Sequence, residues 1–477
     1  MNKRWWMLAA FLFLLTAYFS VGHHQGDEHF QILEFAAYKL GLAASDDLSW
    51  EYHEAMRPAL QPAMVFGLYR VLEVFGPVNP FVVAFLLRLL SAGATLGLVA
   101  VLHLRYRDQL LSGERTGWLL LLLFNWCLYY NGVRFSSENW GGLAAIAGLL
   151  SFPIRWNDRH SFTPTGGYGA VFAGVFFGLA FLFRYQLALF VGGFYVWWLL
   201  FYRKEWGQLL TSVAGGLAVL AICYPLTYWL YGEWTIPAWN YFTANLVAGK
   251  AAGYGTLPWW AYLKLVFLRG VPPLGLLYVA ATLYFVYRYR KDPVAWSVGA
   301  FVLVHSLLGR KDIRFLFPLI PVLPVLIAGS WRGLADFLLS SRLKRGLRPL
   351  VWTCIVVNGL LLAAVVFRPA ASEIAPLHFL YRHYPGPATL TGAEARIIVA
   401  EETTGRFFHR RGHRLDPGLT DYGTCAPAPC LYLRRTNGDP RPPDGAKLVY
   451  TDRPDWLLSW LPFGLLSREK WWYIYEV

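Results

Sequence analysis

The chain has 477 residues, of which 56% are hydrophobic, 17% aromatic and only 15% charged, with a mean hydropathy of +0.38. Soluble domains carry roughly 25% charged residues, so this composition excludes an ordinary soluble enzyme and describes a polytopic α-helical membrane protein. The net charge of +14 does not point to nucleic acid, because most lysines and arginines fall in short loops between apolar runs, the distribution that sets membrane topology.

The chain opens with MNKRWW and an apolar run from Met7 to Val21 that lacks a small-residue cleavage site, so it reads as a first anchor. It leaves the membrane at HHQGDEHFQILEF, His23 to Phe35. Taken as a helix start, this stretch puts Phe30, Leu33, Ala37 and Leu40 on one face and Gln31, Glu34 and Tyr38 on another, with Asp27 one turn before Gln31. Such a helix lies at the membrane surface with its polar face lining a cavity. In the plainest reading Asp27 and Glu28 cap that helix, favoured by its dipole. Two adjacent carboxylates at a membrane border, followed by Glu34 and Glu51, are costly to keep there and point to chemistry. His23, His24 and His29 lack the spacing of a metal site, so no metal is expected.

Roughly eleven apolar runs are long enough to count as spans or near-spans. They lie near 5–21, 79–103, 117–131, 138–153, 167–183, 185–201, 209–230, 271–287, 294–308, 313–329 and 350–367. The segment from Pro58 to Phe75 is also apolar, but Gln61, Arg70 and Glu73 make it a surface or re-entrant helix. Alternate connections hold Lys3 and Arg4; Arg105, Arg107 and Arg115; Arg155 and Arg159; Arg203 and Lys204; Arg288, Arg290 and Lys291; and Arg332 to Arg348. This basic side is cytoplasmic by the positive-inside rule. The opposite side holds Asp27 and Glu28, RFSSEN at 134–139, Arg184, a long loop at 231–270 and RKDIR at 310–314. A single arginine there, such as Arg57 or Arg134, is ordinarily a snorkelling anchor. Arg57, Arg134, Arg184, Arg310, Lys311 and Arg314 sharing one side with a carboxylate pair describe a site for an anionic headgroup, since guanidinium suits phosphate oxygens.

After Phe367 about 110 residues rich in Pro, Gly and charge contain the short alternating runs ARIIVA, CLYL and KLVY and end in WWYIYEV. They read as a small α/β domain outside the membrane, tucked against it by Trp456, Trp460, Trp471 and Trp472. The expected boundaries are therefore 1–368 for a membrane module, with its first outer loop at 22–77, and 369–477 for the C-terminal domain. Cys127, Cys223 and Cys354 lie in apolar runs, whereas Cys425 and Cys430 can pair if their side of the membrane is oxidising. There is no internal repeat, phosphate-binding GxxxxGK[ST] loop, metal-spaced Cys/His cluster or HExxH, which leaves nucleotide hydrolysis and zinc chemistry without support.

Several of these stretches together resemble glycosyltransferase family 22, the lipid-phosphate-mannose-dependent mannosyltransferases of the C-type (GT-C) superfamily. HQGDEHFQILEF is similar to that family's His-Pro-Asp-Glu followed by Phe-Gln and Glu, and WEYHEAMRPALQP, Trp50 to Pro62, to its Trp-Glu-Tyr, Arg and Leu-His-Pro. Arg134 to Asn139 resembles its Arg-x-Phe-Ser-Asn. The loop from Tyr231 to Tyr262 resembles its Tyr-Gly-x-Trp, Pro-x-Asn-Phe, Tyr-Gly and Pro-Trp elements, and Arg310 to Phe315 its His-Lys-Glu-x-Arg-Phe. The matches run in order from 24 to 318, about three-fifths of the chain. Gln25-Gly26 replaces the family's His-Pro spacing, Gln61 and Arg310 stand where His is usual, and Thr227 stands where Asp is expected.

The resemblance implies a GT-C fold and an inverting transfer of a sugar, mannose foremost, from a polyprenyl-phosphate donor to a glycan or lipid-linked acceptor. Asp27 would be the base, with Glu28 assisting; Lys311, Arg314, Arg184 and Arg310 would hold the donor phosphate. Gln31, Glu34, Glu51, Arg57, Arg134, Tyr254 and Trp259 would line the acceptor cavity. Basic side chains can carry the leaving-group charge, so no cofactor or metal is expected. The partners are membrane lipid, donor and acceptor. A transporter or flippase of a lipid-linked saccharide is the rival class, and it would place charges at mid-bilayer with repeat symmetry. Short loops and the compact C-terminal region favour a bacterial inner membrane with the site facing the periplasm, the alternative being an endoplasmic reticulum membrane with a lumenal site.

Overall fold

The computed structural model describes residues 3–152, 167–202, 205–340, 346–392, 394–395, 399–400, 403–410, 412–425, 428–438, 441–453 and 470–477. Arg155, Arg159, Arg203, Lys204, Arg342, Lys344 and Arg345 of the basic side, and Trp456 and Trp460, lie outside the described residues. The chain forms two compact units, one of 1–20, 54–63 and 85–368, the other of 21–53, 64–84 and 369–477.

In the first unit the apolar runs are helical. Four helices among the described residues are long and apolar enough to cross a membrane: Pro80–Gln109, Trp206–Tyr231, Ile313–Ser340 and Arg348–Phe367. Shorter apolar helices cover Tyr168–Phe183, Tyr185–Phe201, Leu274–Arg288 and Pro293–Leu307. Helices Gly167–Phe183 and Trp206–Cys223 approach at small residues, where a Cβ on Gly174 would collide with the Ser212 carbonyl and one on Gly178 would meet the Gly216 carbonyl at 2.8 Å. Without a hydrophobic force between helices in lipid, such close backbone approach is what gives the pair its dispersion contact.

Two of the runs that depart from uniform α-helix do so for a clear local reason. Ile313–Val322 is 3-10 because Pro318 and Pro321 lack the N–H groups an α-ladder needs; α-helix resumes at Leu323. The run at 117–131 breaks at Asn125, which is extended at φ −70°, ψ 119°, into Arg115–Phe124 and Trp126–Gly132. The break frees backbone groups in an apolar setting, and Asn358 satisfies them from Leu347–Phe367. Its Oδ1 accepts from the Trp126 N–H at 3.1 Å, and its Nδ2 donates to the Phe124 carbonyl at 2.8 Å. Asn358→Leu leaves both unmatched, at about 1–3 kcal/mol each. The expected result is a fall of several degrees in the thermal midpoint in detergent, while Leu360→Ala, on an exposed face, leaves it in place.

The second unit joins the first loop to the C-terminal region, a grouping that the boundaries 1–368 and 369–477 divide. Val21 accepts through its carbonyl from the N–H groups of Ala370 (2.8 Å) and Ala371 (3.1 Å). Gly22 permits this approach: its φ is +90°, and a Cβ there would meet Ala371 Cβ at 2.6 Å. Phe81 packs on His378, Tyr381 and Phe408. Strands β1 (Ala388–Thr391), β4 (His413–Leu415), β5 (Cys430–Thr436), β6 (Lys447–Thr451) and β7 (Trp471–Glu476) form a sheet ordered β4-β1-β5-β7-β6, while β2 (Val399–Ala400) pairs with β3 (Thr403–Thr404). β1 runs parallel to β4 and β5, and β7 antiparallel to β5 and β6. CLYL and KLVY therefore lie in strands, as does Val399–Ala400 at the end of ARIIVA, whose residues 396–398 lie outside the described residues; Trp472, expected at the membrane surface, is instead buried in the sheet while Trp471 is half-buried. β7 has a strand on either side, and Trp472, Ile474 and Tyr475 are buried. Cys425 and Cys430 form a disulfide at the start of β5.

Candidate active site

The stretch His23–Phe35 does form a helix start, with Asp27 and Glu28 in the first turn of Gly26–Glu28 after an extended Gln25. A π-turn at His29–Leu33 then precedes Glu34–Lys39. The wider turn breaks the 3.6-residue period on which the two-faced reading rests. Glu28, His29, Phe30, Gln31 and Ile32 are buried in succession, as are Glu34 to Ala37, so the helix is enclosed rather than lying with one face in lipid. Asp27 is half-buried, and Glu28 is 8% exposed.

Glu34, expected to line a cavity, is instead 1% exposed and holds the C-terminal segment. Its Oε2 accepts from the Arg406 N–H at 2.8 Å and its Oε1 from the Phe407 N–H at 3.0 Å, with His29 Nε2 2.8 Å from Oε1. The Arg406 guanidinium reaches Asp47 at 3.3 Å. Residues 405–408 form no strand, so a carboxylate supplies the acceptors that a sheet partner would otherwise provide. His29 stacks between His23 and Phe408. Glu51 is half-buried in the first turn of Trp50–His53, and Gln31 is 8% exposed. Among the described residues no three His, Cys, Asp or Glu side chains are grouped to hold a metal.

The same region carries a titrating group. Burial, then the charges of His413, Arg406 and His29, push His409 from the ordinary histidine value down to about 3. A depressed folded value makes the unfolded chain bind the extra proton first, so stability is fully present above about pH 6.5 and is lost as pH falls toward 3. Protease cleavage of the C-terminal region is expected to accelerate across that window in the wild type and to change less in His409→Gln.

In the first unit the basic candidates separate into four arrangements. Arg134 is 3% exposed and donates through Nη1 to the carbonyl (2.8 Å) and hydroxyl (3.0 Å) of Ser20, tying the first helix. Arg57 is clasped through its backbone: its N–H donates to Tyr231 Oη at 3.1 Å, and Tyr231 donates to its carbonyl at 2.8 Å. Its guanidinium lies 5.4 Å from the Tyr241 ring centroid.

Arg310 and Lys311 hold the long outer loop. Arg310 Nη1 donates to the Tyr254 carbonyl and its guanidinium lies over the Tyr254 ring. Lys311 is 5% exposed, and its Nζ donates to the carbonyls of Leu257 (2.9 Å) and Leu308. Burial draws its ammonium below the ordinary lysine value. Trp259 is 66% exposed, on the outside of that loop.

Arg184 and Arg314 are brought together at Phe315, their guanidinium carbons 5.6 and 5.7 Å from its ring centroid. Arg184 Nη1 donates to Glu138 Oε1 at 2.8 Å and to Ser137 Oγ at 3.0 Å. Arg314 Nε lies 3.2 Å from Asp312 Oδ2, while Asp312 Oδ1 caps the 3-10 helix through the Arg314 N–H at 3.1 Å. His305 completes the surroundings: its ring lies 6.1 Å from that of Phe315, Nδ1 is 2.8 Å from the Phe301 carbonyl, and Nε2 is buried without a partner among the described residues.

Glu138, Phe315 and His305 were not among the candidates read from the sequence. Glu138 was legible as a carboxylate in the first turn of an apolar helix, but its partner is 46 residues away and follows no local period. The RFSSEN stretch works as a unit. Ser136 Oγ caps the helix through the Asn139 N–H at 3.3 Å, and Asn139 Nδ2 donates to the Arg134 carbonyl at 2.9 Å, fixing the turn that presents Ser137 and Glu138.

Comparison with known proteins shows what this chain is similar to. A solved structure titled "Crystal Structure of ArnT from Cupriavidus metallidurans bound to Undecaprenyl phosphate" superposes with a TM-score of 0.57 at 13% identity, covering 99% of this chain and 97% of that one. That likeness shows a shared GT-C fold. "GPI mannosyltransferase 3" from Yarrowia lipolytica is 27% identical over 343 residues, 70% of this chain and 62% of that protein. "GPI alpha-1,2-mannosyltransferase 3" from Xenopus laevis is 25% identical over 328 residues, 65% of this chain and 56% of that one. The chain thus spans about three-fifths of the length of these curated relatives. The model of the Alg9-like mannosyltransferase family matches residues 5–378, taking in the Asp27–Glu28 turn, the Arg184–Glu138 pair and the Arg314 stretch alike. With that match covering well over half of its length, the chain belongs to the Alg9-like mannosyltransferase family.

Proposed function

We propose that this integral membrane protein transfers mannose from a polyprenyl-phosphate donor to a hydroxyl of a glycan or lipid-linked acceptor at the outer face of the membrane. The observation that carries this reading is the family match over residues 5–378. The names of the curated relatives favour a mannose-bearing glycolipid as acceptor class. The reaction is an inverting displacement. The acceptor oxygen forms a bond to C1, the C1–O bond to phosphate breaks with its electron pair leaving on the phosphate oxygen, and the hydroxyl proton passes to a carboxylate. Asp27 is the proposed base and Glu28 its neighbour in positioning the acceptor. Arg184 and Arg314 are the proposed phosphate ligands, with Arg310 and Lys311 ordering the loop beside them; no metal is invoked, since fixed cations answer the leaving-group charge.

About eleven spans, with the basic connections on the cytoplasmic side, fit this topology. A bacterial inner membrane with a periplasmic site is the proposed setting; the named relatives are eukaryotic, and a lumenal site in the endoplasmic reticulum would have the same orientation. The transporter reading gains nothing from the family match. Labelled polyprenyl phosphate mannose supplied to membranes holding the protein decides between the two. Label appearing in a glycolipid acceptor supports the transferase, whereas intact labelled lipid moving between leaflets without turnover defeats it.

A further inference from the structure

The two arginines at Phe315 each have a carboxylate of their own. The Arg184 and Glu138 side chains are both 4% exposed; those of Arg314 and Asp312 are 18% and 24% exposed. A site meant only to attract phosphate would keep the arginines uncompensated. Here one guanidinium is matched by one buried carboxylate, and the pair is fixed from three directions. Nη1 of Arg184 is shared by Glu138 Oε1 and Ser137 Oγ, Ser137 Oγ is 3.2 Å from Glu138 Oε2, and the guanidinium is seated against Phe315. Among the described residues the Nε of Arg184 is buried without a hydrogen-bond partner, so the guanidinium keeps that donor unmatched while Nη1 is held.

The charge matters because substrate and product differ in it. A sugar phosphodiester carries one negative charge, whereas the lipid monoester left after C1–O cleavage carries about 1.5 to 2 at neutral pH. In a dry site, two uncompensated guanidinium groups would hold that monoester more tightly than the donor and slow its departure. A buried counter-charge lowers that difference.

We propose that Glu138 is a positioning residue and the counter-charge of the lipid-phosphate site. It fixes Arg184 so that Nε meets a phosphate oxygen, and it offsets the guanidinium charge so that the monoester product is released, with Asp312 acting likewise on Arg314. This rests on the reading of Arg184 and Arg314 as donor-phosphate ligands.

The test uses the full chain in lipid nanodiscs, with direct binding of polyprenyl phosphate and of inorganic phosphate measured alongside kcat and KM. Glu138→Gln keeps the shape and an acceptor oxygen for Nη1 and removes the charge. It is expected to bind polyprenyl phosphate roughly tenfold more tightly, the scale of one nearby charge at a protein-like dielectric. Its kcat should fall through slower product release, KM for the donor should not rise, and Glu138→Asp should restore both. Inorganic phosphate should bind far more weakly than the lipid in every variant. A purely structural ion pair predicts a lower thermal midpoint with unchanged affinity for the monoester per folded molecule, and that result overturns the proposal. If Glu138→Gln does not fold, Asp312→Asn, which keeps its capping oxygen, decides in the same assay: tighter monoester binding supports the counter-charge, and unchanged binding refutes it. A wild type that transfers mannose and binds the monoester while neither variant changes that affinity sinks this inference alone. A wild type that binds no polyprenyl phosphate sinks the phosphate-site reading as well.

Discussion

Asp27→Asn is expected to lower mannosyl transfer by at least ~10²-fold in membranes with matched protein levels, the typical contribution of a positioned general base. That loss corresponds to about 2.7 kcal/mol of transition-state stabilisation. The substitution is nearly isosteric, and Asp27 lies in the first helical turn, where an acidic side chain adds only about 0.3–1 kcal/mol through the helix dipole. The fold should therefore survive a change that removes most of the activity. A helix-capping role makes the opposite prediction, a slight loss of stability and full transfer. Glu28→Gln should cost less than Asp27→Asn if Glu28 positions the acceptor and does not take its proton. Full activity in Asp27→Asn, with transfer intact in the wild type, would move the base elsewhere and leave the family assignment untouched.

Much of the helical unit was legible because apolar runs of this length have few alternatives, and their helices start and stop close to the expected residues. Where the reading slipped, a tertiary partner decided the outcome. The break at Asn125 depends on Asn358, 232 residues away from the amide it accepts from, and nothing in the run 117–131 announces it. The enclosed helix after Asp27 depends on a π-turn, which hydrophobic periodicity at 3.6 residues cannot register. Trp471 and Trp472 suit a membrane interface by residue type, yet the residues of WWYIYEV equally suit a strand, and pairing with β5 and β6 on either side buries Trp472. The basic candidates show the same limit. Their residue types pointed to an anion site, but only the fold separates Arg184 and Arg314 at Phe315 from Arg310 and Lys311, bonded to loop carbonyls, and from Arg134, tied to Ser20.

Glu34 supplies the sharpest contrast with Asp27, since both are carboxylates of one short stretch and their substitutions should fail in different ways. Glu34→Ala removes the acceptors of the Arg406 and Phe407 amides and the oxygen facing His29, all at a residue 1% exposed. Each buried donor left without a partner costs about 1–3 kcal/mol, so a loss of about 3–5 kcal/mol in the second unit is expected, near the upper end for a single substitution. Hydrogen exchange reads this directly, because the amides of Arg406 and Phe407 should lose their protection first and protease should then cut the C-terminal region under conditions where the wild type resists. Glu34→Gln keeps one acceptor oxygen but turns an amide toward the second N–H, so it should recover only part of the loss. Transfer by Glu34→Ala should fall in step with the folded fraction, whereas Asp27→Asn should lose transfer with protection at residues 406 and 407 intact. Unchanged exchange at those amides in Glu34→Ala would mean that the carboxylate is not what holds the segment, and the expectation that Glu34 lines the acceptor cavity would regain its place.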